Sequence, residues 1–97
     1  MLRIHKEIIN EFGRLKNVKI ILFGSVARGD YTFDSDIDIA VVTNQDVKRV
    51  AEKIADEVFA KYGKLVSLKF FSEREFNKEG NPIIRKIKKE GIVWKMQ

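Results

Sequence analysis

The chain has 97 residues, 44% of them apolar and 34% charged, which suits a single packed domain over 1–97 and is too evenly mixed for disorder. Its net charge of +5 is uneven: residues 1–60 carry nine Lys/Arg against ten Asp/Glu, and residues 61–97 carry ten against four. There is no cysteine, so disulfides, zinc–thiolate sites and thiol nucleophiles are excluded, and the longest uncharged run, residues 20–27, falls far short of the ~18 that span a bilayer. With no apolar segment behind the first charges, the expectation is a cytoplasmic protein without membrane association.

Residues 2–15 predict an amphipathic helix with Ile8, Ile9, Phe12 and Leu15 on its apolar stripe and His5, the chain's one histidine, at the surface. Residues 18–23 are short, rich in β-branched side chains and stopped by Gly24, which predicts a buried strand. Ser25 to Arg28 allows one helical turn before Gly29, and residues 30–35 form a polar turn. Residues 36–42 predict a second strand, with Ile37, Ile39 and Val41 on one face and Asp36, Asp38 and Ala40 on the other.

Asn44 is expected to cap a helix over 46–62 whose stripe is Val47, Val50, Ala51, Ile54, Val58 and Phe59, ended by Gly63. Residues 65–71 predict a third strand. Ser72-x-x-Glu75 is a capping box and predicts a short helix, and Asn81-Pro82 opens another to residue 90. That helix has Ile83, Ile84 and Ile87 on one side and Arg85, Lys86, Lys88 and Lys89 on the other. Ile92-Val93-Trp94 makes a last short strand, with Trp94 packing into the core. The basic C-terminal part reads as a solvated helix face, because no aromatics alternate with its charges as nucleic-acid stacking requires. The fold class is α/β (α+β): a small mixed sheet flanked by helices.

Chemistry concentrates between the first two strands. Gly24-Ser25 follows a buried strand and opens a turn, offering backbone N–H groups and a hydroxyl that suit phosphate oxygens. Asp36 and Asp38, two apart on a strand, project from the same face and repel each other unless a cation lies between them. Arg28 and Gly29 add a cation and a flexible backbone position. A phosphate-binding turn beside paired carboxylates is what metal-assisted phosphoryl or nucleotidyl transfer uses, since Mg²⁺ prefers carboxylate and phosphate oxygens.

Gly24-Ser25, ten residues, then Asp36-x-Asp38 resembles the signature of the nucleotidyltransferase superfamily that includes DNA polymerase beta. The fuller form, Phe23-Gly24-Ser25-x-Ala27-Arg28-Gly29 followed by Ser35-Asp36-x-Asp38, is similar to its smallest members, the minimal nucleotidyltransferases. The resemblance implies the polymerase beta-like fold in the order α-β-(short α)-β-α-β-α-α. It implies nucleotide contacts at Gly24, Ser25 and Arg28, and catalytic, metal-holding roles for Asp36 and Asp38, with Mg²⁺ as cofactor and ATP as substrate. It further implies an antitoxin that acts on a HEPN-type toxin, by transferring AMP to it or, as the alternative, by docking as a degenerate domain. Superfamily enzymes usually carry a third carboxylate on the strand after the long helix; here the polar face of that strand holds Ser67 and Lys69. A sheet this small leaves a nucleotide exposed, so homo-oligomerisation or partner docking would complete the site, with Tyr31 and Phe33 as the expected contact residues.

Overall fold

The apolar run Lys19–Phe23 (β1) and the alternating Ile37–Val42 (β2) form the centre of a four-stranded sheet in the computed structural model, which describes residues 1–96. They run antiparallel, with Leu22 opposite Ile39 and Phe23 opposite Asp38. Val66–Phe71 (β3) lies parallel to β2 on its outer side, setting Ser67 beside Asp38 and Lys69 beside Ala40. A parallel pair needs a crossover, and Lys48–Tyr62 provides it as a helix. Ile92–Met96 (β4) pairs antiparallel with β1 at the other edge, so the strand expected from Ile92 onward is present.

Strand alternation divides the core in two. Ile20, Leu22, Ile37, Ile39 and Val41 face Arg3–Glu11 (α1), its 3-10 extension Phe12–Arg14, and the crossover helix; Ile8, Ile9, Phe12, Ala51, Ile54 and Val58 seal that side. Ile21, Phe23, Ala40 and Val42 face the other way, under Phe76 and the Ile84 and Ile87 pair. With Gly24–Arg28 as α2 and the crossover as α3, these last residues belong to Glu73–Asn77 (α4) and Pro82–Glu90 (α5).

Both late helices start where their caps direct. Ser72 Oγ accepts from the Glu75 N–H while the Glu75 carboxylate accepts from the Ser72 N–H, and Asn81 Oδ1 accepts from the Ile83 and Ile84 N–H groups. The mainly exposed basic side chains of α5 form the expected solvated face.

Several expectations need correction. The first helix is α-helical only to Glu11 and tightens to 3-10 across Gly13. The crossover helix begins at Lys48, and Asn44 does not cap it: its side-chain amide donates to Glu73 Oε2 at 2.6 Å and its Oδ1 accepts from the Glu73 N–H, fastening the end of β2 to the start of α4. Val50 and Phe59 lie outside the stripe, each 53% exposed, because Ala51, Ile54 and Val58 already fill the width that α1 and the sheet cover. His5 is buried rather than at the surface: Nδ1 accepts from the Leu2 N–H, and Tyr31 stands edge-on to the ring at a centroid distance of 4.8 Å. Tyr31 therefore packs inward, whereas Phe33 is 87% exposed as expected. Trp94 is half-buried against the main core, its Nε1 donating to Asn10 Oδ1 at 2.8 Å.

Candidate active site

Phe23 ends β1 in an extended conformation and Gly24 turns the chain into α2 with φ +76°, a region costly for residues with a Cβ. A second constraint acts on the same residue. The antiparallel register puts Asp38 across from Phe23, and its carboxylate lies against Gly24 so closely that a Cβ there would overlap it. Glycine is thus required twice, and the Gly-Ser turn and the second carboxylate of the Asp-x-Asp pair are brought together. Ser25 opens the first turn of α2 beside them and is half-buried.

Asp36 lies just before β2 and is exposed, while Asp38 is within the strand and half-buried. Among the described residues neither carboxylate takes part in a hydrogen bond or contact ion pair. Burial is the main cause that holds the Asp38 pKa above the ordinary carboxylate value, the Asp36 charge adds to it, and Lys69, Arg28 and Lys86 oppose it. A cation shared by the two side chains would relieve both raising effects, and two hard carboxylate oxygen donors suit Mg²⁺.

The parallel register puts Ser67 directly beside Asp38, and among the described residues no three His, Cys, Asp or Glu side chains gather as a metal cluster. The polar face of β3, where the resemblance implies an acid, carries the Ser67 hydroxyl and, two residues on, the Lys69 cation.

Arg28 is exposed, but its guanidinium is paired with two acids. Its Nε donates to Asp30 Oδ2 at 3.1 Å and its Nη1 donates to both oxygens of Glu90, at 3.1 and 3.2 Å. These two acids, Asp30 foremost, push the Arg28 pKa further up. The Gly24 N–H also donates to Glu90, at 3.0 Å. Two of the groups expected to meet phosphate, the Gly24 amide and Arg28, are therefore held by a carboxylate from α5, and the Ser25 hydroxyl is left without a hydrogen bond among the described residues. Glu90 was not singled out from the sequence. The available signal was an acid in the last turn of a helix, where the macrodipole disfavours negative charge unless a donor or cation compensates.

A fold of this topology with a Gly-Ser turn against an Asp-x-Asp strand defines a nucleotidyltransferase domain, and the chain belongs to that family: residues 2–94 match the model of the nucleotidyltransferase domain, a family of transferases. Within it, the chain is 43% identical over 94 residues to "Putative protein adenylyltransferase MJ0604" of Methanocaldococcus jannaschii, covering 91% of each chain. Among solved structures it is similar to one described as a toxin-antitoxin with AMP-PNP (TM-score 0.66, 22% identity, 99% of this chain and 75% of that one). It is also similar to a "putative nucleotidyltransferase from Sulfolobus solfataricus" (TM-score 0.52, 26% identity, 100% of this chain and 81% of that one).

Proposed function

We propose that this chain is a magnesium-dependent nucleotidyltransferase that moves AMP from ATP to a hydroxyl of a protein partner, and that the partner is a HEPN-type toxin. The observation that carries this reading is the apposition of the Gly24-Ser25 turn and the Asp38 carboxylate, with Asp36 two residues before it. The Ser25 hydroxyl and the amides that follow Gly24 in the first turn of α2, which have no intrahelical acceptor, would hold the β- and γ-phosphates. Asp36 and Asp38 would hold the metal, which when bound supplies positive charge against the phosphates. In the transfer, a bond forms between the acceptor oxygen and the α-phosphorus as the α–β bridging P–O bond breaks, pyrophosphate leaves, and the hydroxyl proton passes to solvent. The name of the 43% identical relative supports a protein as acceptor, and the toxin-antitoxin neighbour with AMP-PNP supports the toxin and the adenine nucleotide.

The test is incubation of this protein and a co-expressed HEPN-type toxin with α-labelled ATP. Label on the toxin is expected with Mg²⁺, and none with EDTA or with the Asp36→Ala/Asp38→Ala variant; no label under any condition refutes the transferase reading. Ser67 beside Asp38, in place of an acid, favours a second reading: a docking module that neutralises the toxin without chemistry. Neutralisation that survives in the double variant selects that alternative.

A further inference from the structure

Glu90 is the one acid in the last turn of α5, with Lys88 and Lys89 immediately before it. Its side chain is 15% exposed, so a charge has been largely withdrawn from water at the helix end that least favours it. Such a placement persists only when the carboxylate is well supplied with donors, and three contacts do this: the Gly24 amide to Oε1, and Arg28 Nη1 to both oxygens. Arg28 is in turn anchored from its other side by Asp30.

The chain allows Glu90 little freedom to leave. Gly91, the next residue, donates to the Ile87 carbonyl at 2.7 Å, and β4 begins at once. A Cβ on Gly91 would overlap the Ile87 carbonyl and the Ile21 side chain, so the helix end is pressed onto β1. Glu90 is consequently carried by a junction fixed to β1, the strand that ends at Phe23 just before Gly24. Gly24 itself lies between two carboxylates: Asp38 abuts its Cα, and Glu90 accepts from its N–H.

We propose that Glu90 is a positioning residue: by accepting from the Gly24 N–H and holding Arg28, it sets the direction in which the turn presents Ser25 beside Asp38. Arg28 then acts through Glu90 as part of the same clamp and does not supply the cation for phosphate. This rests on the nucleotide-binding reading above and adds a residue from the far end of the chain to that site.

The test is calorimetric titration of Mg·ATP into the wild-type protein, Glu90→Ala and Glu90→Gln, at a temperature where circular dichroism shows all three folded. Leaving the Gly24 donor unsatisfied is expected to weaken binding by about tenfold in Glu90→Ala. Glu90→Gln, whose amide oxygen still accepts from Gly24, is expected to recover most of the loss. Unchanged affinity in Glu90→Ala with only a lower Tm would make Glu90 a structural brace and overturn the proposal. Tighter binding would make it a competitor of phosphate, and equal weakening in both variants would deny the role of the Gly24 contact; either overturns it. No binding by the wild-type protein overturns the nucleotide reading and this inference together, whereas wild-type binding that Glu90→Ala retains overturns the inference alone.

Discussion

The two faces of the sheet are built from the same strands and do opposite things. On one, Ile20, Leu22, Ile37, Ile39 and Val41 are closed over by α1 and α3 with essentially no exposure. On the other, Ile21, Phe23, Ala40 and Val42 are covered by α4 and α5, and where that cover ends Asp38, Ser67 and Lys69 face outward along the same rows. A strand period of two lets each residue of β2 serve one face only, so Asp38 stands off the face that α1 and α3 seal, while Ala40 and Val42 farther along the same row pack under α4 and α5. Mutations on the sealed face should therefore act on stability, and mutations at the uncovered end of the other, around Gly24 and Asp38, should act on binding as well.

The largest effect is expected on the sealed face. Ile39→Ala leaves a cavity opposite Leu22 and should cost about 2–5 kcal/mol in urea denaturation. Next comes Gly24→Ala, which meets both the positive φ and the Asp38 carboxylate; about 1–3 kcal/mol of strain is expected, together with loss of Mg·ATP binding measured on the folded fraction. A large stability loss with intact binding would break the division between the faces.

Protonation should separate the faces by sign. His5 is buried among apolar groups, and desolvation foremost, then Lys64 and the N-terminus, lowers its pKa. A lowered histidine binds fewer protons folded than unfolded, so its contribution is intact above the ordinary value of about 6.5 and is lost on acidification below it. Asp38 is raised, so the folded state binds more protons than the unfolded one. Stability then falls as pH rises from the ordinary carboxylate value through the raised one, and a constant penalty persists at neutral pH. His5→Leu should flatten the acid-side loss, and Asp38→Asn should raise Tm at pH 7; a lower Tm in Asp38→Asn would mean that the carboxylate stabilises the open face. The smallest effect, about 1 kcal/mol, is expected for Ser72→Ala, which removes one half of the α4 capping box and can be read from thermal melts.

How much was legible in the sequence follows the same division. Elements governed by local rules were readable: the alternation of Ile37, Ile39 and Val41, the capping box at Ser72 and Glu75, and the Asn81-Pro82 start. The juxtaposition of Gly24-Ser25 with Asp38 was readable in outline, since a turn after one strand and a carboxylate pair on the next meet when the two strands pair. Residues whose partners lie far along the chain were not. Asn44 has the composition of a cap but is taken by Glu73, and the lone His5 meets Tyr31 only because the α2–β2 loop folds back over α1. Glu90 is 66 positions from Gly24, and no local pattern specifies that contact.

The most direct measurement is titration of the wild-type protein and of Asp36→Ala/Asp38→Ala with ATP, each in Mg²⁺ and in EDTA. Magnesium-dependent binding by the wild type that vanishes in EDTA and in the double variant is the predicted result. Binding of equal strength in the double variant, or none by the wild type, would contradict a nucleotide site on the open face.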